Sequence, residues 1–422
     1  MHLTAINLPE LFVKLWRGVI RADNTHIRDC EHAFLVGPAW KEHGALVAGT
    51  RPYLPGSFGR VPRNPQLKIN SGYKAWEYML YLWALGPAVF RPYLPDRYWK
   101  NFCKLVKSVR IVQQRRILVA DLIQAHKDLV EWEEDYENLY YQRDPARLHY
   151  VRPSIHSIVH TPMETYRFGP LNLVAQWTLE NTIGGLVREI KQHSNPFANL
   201  SECTVRRAQL NALKAMMPGL VPKKPFPRAS VVLPCGFVLL PAVDDHLHLL
   251  PPLEYNALKA HVVKITSPQL HVLEEDIFIQ RWASLLLPTR QRARSHWKET
   301  ERKSQNIRNS RNVKLAFNGE PRYGEVQYYF RYAIHGQAHT LAMVSLYTYP
   351  DLDLLRDSSN TLYACQYTGS AGLVVVDVGD IISVVAMPPL PIKPEEVQYS
   401  GYFYVAEKPF LETMQFTVDD DD

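Results

Sequence analysis

The chain has 422 residues, of which 46% are hydrophobic and 21% are charged, and its formal net charge is +6 at pH 7. These values exclude wholesale disorder and predict a globular protein of two or three domains. The five cysteines form no C-x-x-C pair, which excludes a disulfide framework or a zinc module and indicates a reducing compartment. No apolar run approaches a membrane-spanning length, so we expect an intracellular protein without a membrane partner.

The first segments predict one short helix and a long irregular stretch. A proline in the first turn and apolar residues on one face favour a helix over residues 9–18. Residues 23–70 show no regular period. Within them, the proline- and glycine-rich part 50–65 predicts an extended, basic loop that wraps a surface.

Regular helices then dominate the sequence. Apolar side chains recur at helical spacing in six segments, which span residues 73–90, 96–116, 119–141, 153–167, 171–193 and 202–217. Because the connections between these segments are short, we expect one bundle-like helical body over residues 1–218.

After residue 218 the composition becomes rich in proline and basic residues. Residues 219–313 predict a strap and connector that contain short strands at 229–234 and 236–243 and helices at 252–264 and 273–287.

The last quarter of the chain has the pattern of strands. Five or six β-branched and aromatic runs, bounded by Gly, Pro, Asp and Asn, predict a β domain over residues 314–416. Residues 417–422 form an acidic tail. The predicted fold class is therefore α+β, a helical body followed by a small antiparallel β barrel or sandwich.

Two groups of polar residues have the spacing of metal ligands. His156 and His160 stand four residues apart on a predicted helix, so that two imidazoles can face one metal ion. The zincin signature needs glutamate after the first histidine, where this chain has Ser157, and two packed or hydrogen-bonded histidines are the preferred interpretation. The second group suits either a transition metal or a polar loop beside a strand, with the loop preferred, and consists of Asp244, Asp245, His246 and His248. We assign no metal site from the sequence.

The sequence lacks the phosphate-binding glycine loops and the nucleophile elbow of common enzyme families. Gly184 and Gly185 lie inside a predicted helix, where such a pair indicates close backbone packing or the close approach of a ligand. Trp177 and Glu180 precede this pair by about one turn.

A basic segment between residues 281 and 314 is the strongest physical signal. It holds ten basic residues against Glu299 and Glu301, and Trp297 lies among them. Such a density suits a phosphate backbone, whereas a solvated connector between domains is the alternative. No recognition-helix motif is visible, so we expect non-specific DNA binding. The residues that we expect to contact DNA are Arg281, Arg290, Arg292, Arg294, Lys298, Arg302, Lys303, Arg308 and Arg311, and Lys314 ends the segment.

Long phrases of the chain resemble the C-terminal half of CACTA-type (En/Spm) transposases, most of all the copies found in fungal genomes. The central phrases span residues 94–111, 140–160, 169–201 and 206–216. Further phrases extend the resemblance to the N-terminus, at 7–18, 53–65 and 71–85, and into the β part, at 323–331, 341–351 and 382–387.

This resemblance implies a ribonuclease H-like origin, in which three carboxylates hold two Mg²⁺ ions. The family pattern of Gly-Pro, Trp and Glu falls on Gly169, Pro170, Trp177 and Glu180, so the resemblance makes Glu180 the last catalytic carboxylate. We expect the first two aspartates to lie upstream of the matched part. Mg²⁺ would then bind only if the missing carboxylates were supplied elsewhere.

The resemblance thus implies a nuclear, transposase-derived DNA-associated protein that is not a nuclease by itself. The first alternative is a domesticated protein-interaction module whose β barrel binds protein partners. The second alternative is a metal-dependent hydrolase that uses His156 and His160 or the group around Asp244.

Overall fold

The chain folds as an α+β protein, with a helical N-terminal body and a curled antiparallel sheet in the C-terminal half. The computed structural model describes residues 2–20, 30–190, 194–220, 225–266, 276–301 and 307–411. The N-terminal α-helices are α1 (Leu8–Trp16), α2 (Gly37–Gly49), α3 (Pro65–Lys68), α4 (Ala75–Tyr78), α5 (Gly86–Val89), α6 (Asp96–Val112), α7 (Val119–Tyr136), α8 (Pro153–Val159), α9 (Thr161–Phe168), α10 (Leu171–Val174), α11 (Trp177–Glu189) and α12 (Pro196–Met216).

The helical body has an aromatic core. Phe12 of α1 lies within about 6 Å, ring centre to ring centre, of Trp16, Phe102 and Tyr136. The indole nitrogen of Trp16 donates a hydrogen bond of 2.9 Å to the hydroxyl of buried Tyr140. Trp16 and Tyr140 thus bury their apolar area while their polar atoms bond to each other, and the ring contacts of Phe12 join α1 to α6 and α7.

Most predicted helices of this body are confirmed, with two differences. The segment predicted as irregular contains α2, which buries Trp40, His43, Gly44 and Val47 at helical spacing. Its glycines and proline hide that spacing in the sequence. The predicted helix 73–90 is a continuous helical segment, but its middle, Met79–Leu85, is a π-helix.

The α11–α12 hairpin packs differently from the rest of the body. Neither helix contains a buried residue. Leu179, Ile183 and Val187, spaced four residues apart on α11, are 52%, 47% and 63% exposed. The apolar stripe that predicts these helices therefore remains largely uncovered.

The sheet starts earlier than the sequence predicts. Its strands are β1 (Val231–Val232), β2 (Val238–Leu249), β3 (Phe278–Leu286), β4 (Arg292–Arg294), β5 (Asn312–Phe317), β6 (Glu320–Ile334), β7 (Gln337–Leu346), β9 (Leu373–Asp377) and β10 (Ile381–Val384), and β8 (Ala364–Gln366) pairs separately with β11 (Tyr402–Tyr404). All the pairings are antiparallel, and the main path runs β1-β2-β3-β6-β5-β10. The boundary at residue 314 is therefore too late for the sheet.

The predicted helix 273–287 is wrong, because its described part contains β3. Ile279, Ala283 and Leu285 are buried at even spacing, and β3 pairs with both β2 and β6. Neighbouring strands on two sides satisfy its backbone, so the apolar run forms a strand rather than a helix.

The remaining helices lie among the strands: α13 (Pro252–Ile265), α14 (His296–Thr300) and α15 (Leu352–Asp357). The prediction of α13 is confirmed. Its buried Leu258 and Val262 share a core with Phe330 of β6 and Met343 of β7. A second apolar core lies among Leu239, Tyr329, Val344 and other sheet residues.

The C-terminal segment returns to the helical body. Its buried side chains belong to the same core as α1, α6 and α7, and they are Leu354, Leu362, Ala364, Ala386, Leu390, Tyr404 and Ala406. An ion pair joins Arg91 to Glu396, and Arg110 donates a hydrogen bond of 2.8 Å to the carbonyl of Thr361. Part of the predicted β domain 314–416 therefore packs into the core of the helical body. The predicted acidic tail 417–422 lies outside the described residues.

Candidate nucleic-acid interface

The basic segment is distributed over β3, β4, α14 and β5. Between β3 and β4 the chain turns tightly, and the backbone NH of Leu287 donates to the carbonyl of Gln291. Arg290 adopts φ 61° in this turn, and its side chain is exposed. Arg292 is also exposed, and its guanidinium donates hydrogen bonds of 3.2 and 3.1 Å to the hydroxyl of Ser284 on β3. The turn therefore presents two arginines to solvent.

Arg281 is engaged in an ion pair. Its guanidinium lies 2.7 Å from the carboxylate of Asp244 and stacks over the ring of Trp297 at 4.7 Å. The same carboxylate contacts His248 at 2.7 Å. Burial alone would raise the pKa of Asp244, but hydrogen bonds from Arg281, the backbone NH of His246 and His248 lower it to about 2. The charge of Arg281 is thus matched within the fold.

Arg311 lies between two buried carboxylates. Its Nε donates a hydrogen bond of 2.5 Å to Glu325, and its Nη1 lies 3.7 Å from Glu299. Glu325 also accepts a hydrogen bond of 2.6 Å from Tyr367, and His296 lies 3.3 Å away. Burial alone would raise the pKa of Glu325, yet His296, Tyr367 and the charge of Arg311 together lower it to about 2. Arg311 therefore has a structural role.

The two lysines of the segment that the structure describes also have acidic partners. Lys298 lies 2.7 Å from Glu301, and Lys314 lies 2.8 Å from Glu407. These ion pairs are largely exposed, so they reduce the local positive charge without fixing the side chains strongly.

Arg308 connects the basic segment to the loop at residues 50–65. Its guanidinium donates hydrogen bonds to three backbone carbonyls, at 2.6 Å to Leu54, 2.5 Å to Pro55 and 2.9 Å to Gly59. Asn309 donates its backbone NH to the carbonyl of Pro52 at 2.8 Å. These contacts hold the loop against the basic segment. The loop is not extended as predicted, because it contains short 3₁₀ helices at Arg51–Tyr53 and Gly56–Phe58.

The loop adds positive charge that the sequence predictions did not assign to the interface. Arg51 and Arg60 are both exposed. Arg51 directly precedes Pro52 and Arg60 directly follows Gly59, and the basic segment contacts both of these neighbours. No acidic residue occurs between His43 and Trp76 in the sequence, so neither arginine has a local acidic neighbour along the chain. That acid-free stretch is the signal by which these residues could have been found.

The other predicted DNA contacts are placed as follows. Arg294 is half-buried, and its backbone NH donates to Ser310. Arg302 and Lys303 lie outside the described residues. The exposed basic side chains that the fold brings to neighbouring segments are thus Arg290 and Arg292 of the turn and Arg51 and Arg60 of the loop.

Glu180 lies in the first turn of α11 and is exposed. The neighbouring Trp177 lines a cavity of about 160 Å³ and contacts Phe410, but Glu180 does not line that cavity. Glu180 thus lies on the exposed part of α11, outside the lining of this cavity. Among the described residues, no group of three or more His, Cys, Asp or Glu is arranged to hold a metal ion.

The polar group around Asp244 lies within β2 rather than in a loop. His246 is exposed, and His248 contacts the carboxylate that pairs with Arg281. These side chains form an ion-pair network, and the chemistry available there is charge neutralisation on the sheet surface.

Comparisons with known proteins add no relative, since the chain matches no protein-family model, no curated protein and no solved structure. None of the helices in the described part of the chain is both long and apolar enough to span a membrane.

Proposed function

We propose that this chain is a transposase-derived, DNA-associated protein that binds the phosphate backbone without reading its sequence. The observation that carries this proposal is the exposure of Arg290 and Arg292 on one turn, beside a basic loop that contributes Arg51 and Arg60. Gln291 of the turn donates a hydrogen bond of 3.3 Å to the hydroxyl of Ser57 in that loop. Guanidinium groups displace the counterions of DNA, and this gain does not depend on base sequence.

The ribonuclease H-like origin and nuclear location are parts of the same proposal. They rest on the family phrases of the sequence, above all the pattern that ends at Glu180. One exposed carboxylate cannot position two Mg²⁺ ions, because each ion needs several oxygen ligands. We therefore propose that the chain alone does not cleave DNA, and that Mg²⁺ binds only where a partner supplies further carboxylates.

The test is a salt series of DNA binding by the full chain and its variants. We expect log K to fall linearly with log salt concentration, with a slope of about −0.9 per neutralised phosphate. The double variant Arg290→Gln/Arg292→Gln removes up to two phosphate contacts, so the magnitude of the slope should fall by up to about 1.8.

A matched control removes two exposed arginines from other elements, Arg143→Gln/Arg356→Gln, and should leave the slope unchanged. Equal binding by the wild-type chain at low and high salt would contradict the proposal. So would an equal loss of slope in the control variant.

A second candidate function is protein interaction, and the α11–α12 hairpin favours it over the sheet. Leu179, Ile183 and Val187 leave an uncovered apolar stripe on α11, and exposed apolar patches mark association sites. Exposed Glu180 and Glu202 accompany exposed Arg188 and Arg206, so the hairpin carries charges of both signs that can pair across a two-fold contact between identical copies. We name a second copy of this chain as the partner.

Sedimentation at increasing protein concentration tests this candidate. A dimer should form, and Ile183→Asp should abolish it without unfolding the chain, because Ile183 is about half exposed. A chain that stays monomeric at all concentrations would rule out self-association through the hairpin.

A further inference from the structure

His156 and His160 converge on one point of the helical surface. His156 lies in α8, and His160 directly follows that helix, so the two side chains are one turn apart on the same side. Their Nε2 atoms are 3.1 Å apart, and the rings are nearly perpendicular, at 87° with centres 4.7 Å apart. The side chain of His156 is 68% exposed, so solvent and ions reach it.

A carboxylate behind this pair sets the orientation of the first imidazole. The Oε1 atom of Glu133 on α7 lies 3.0 Å from Nδ1 of His156. A proton on Nδ1 donates to that carboxylate and leaves the lone pair of Nε2 directed outwards. A carboxylate in this position also raises the basicity of the imidazole towards a metal ion.

We propose that His156 and His160 bind a divalent transition-metal ion of the Zn²⁺ or Cu²⁺ class through their Nε2 atoms, with Glu133 as a positioning residue. Metal–nitrogen bonds of about 2.0–2.1 Å across a 3.1 Å gap give an angle of about 100° at the metal, close to that of a four-coordinate site. Water fills the remaining positions.

Binding requires one change at the second histidine. The contact between the two Nε2 atoms needs one proton, and His160 supplies it as a donor if His156 keeps its Nδ1 proton on Glu133. When the metal binds, His160 changes tautomer: its Nε2 gives up the proton to solvent while Nδ1 takes one up, and both Nε2 lone pairs face the ion. This inference is independent of the proposed DNA association, because it involves other residues on other helices.

The experiment is a calorimetric titration of the metal-free full chain with ZnCl₂ and, separately, CuCl₂. We expect the wild-type chain to bind one ion. His156→Ala and His160→Ala should each lose this binding. Glu133→Gln should keep the stoichiometry and weaken binding about 10–100-fold, as the loss of an outer-shell carboxylate typically does. The Cu²⁺ complex adds a spectroscopic readout, since its paramagnetic resonance spectrum should show nitrogen ligands that the histidine variants lose.

His246→Ala is the matched control, because it removes an exposed histidine that lies on β2, away from the proposed site on α8. It should bind the metal as the wild-type chain does. Circular dichroism establishes that each variant is folded. Undiminished binding by His156→Ala, or no binding by the wild-type chain, would overturn the site, and wild-type affinity in Glu133→Gln would overturn the role of Glu133.

Discussion

Replacing Glu325 with glutamine should make the stability of the fold less dependent on acid. The contacts of this carboxylate with His296, Tyr367 and Arg311 lower its pKa from an ordinary 4.5 to about 2 in the folded chain. Because the folded pKa is the lower one, the ionised carboxylate stabilises the fold fully above about pH 5. That stabilisation is lost as the pH falls towards 2.

A pKa difference of this size corresponds to about 3 kcal/mol of unfolding free energy. Glu325 is 5% exposed, so solvent screening reduces this value little. Urea denaturation of the wild-type chain and Glu325→Gln, at steps between pH 7 and pH 2, measures the difference directly. The two chains should differ by about 3 kcal/mol at pH 7 and converge as the pH approaches 2. A difference that stays constant over this range would refute the reasoning.

Three further predictions concern single residues. Arg308→Gln should lower the unfolding free energy by roughly 2–4 kcal/mol, because three carbonyls lose a charged donor, and limited proteolysis should then cut the loop at 50–65 faster. Glu180→Gln should change neither the melting temperature nor DNA affinity measurably, and the wild-type chain should not nick DNA with Mg²⁺ or Mn²⁺, as a plasmid assay would show. Gly324→Ala should destabilise the sheet by roughly 1–3 kcal/mol in thermal unfolding, since the added methyl group would overlap Val344 on β7.

Local sequence patterns predict the helices of the core well, because α6 and α7 bury one face each. The spacing of Phe102, Leu105 and Val109 is visible in the sequence and is buried in the structure. The pattern fails at β3, where strand pairing on both sides decides the conformation. That pairing involves residues far away in sequence, which no local window contains.

The interface shows the same limit. A count of charges finds the basic segment, but it does not show that Arg281 and Arg311 meet Asp244 and Glu325. These acids lie outside the segment, so only the folded chain reveals which arginines are already paired. Exposure then separates Arg290 and Arg292 from the half-buried Arg281, Arg294 and Arg311.

The shared core also constrains how this protein is made. The core of α1 and α6 includes Leu354, Tyr404 and Ala406. When the helices have left the ribosome, these residues of their core have therefore not yet been synthesised. At the usual 5–20 residues per second, the ribosome needs roughly 10–50 s to extend from α8 to Ala406. During that interval the aromatic side chains of the helices are incompletely covered. Cotranslational chaperones are therefore expected to hold this chain, and a gene truncated before residue 406 should yield an aggregating product.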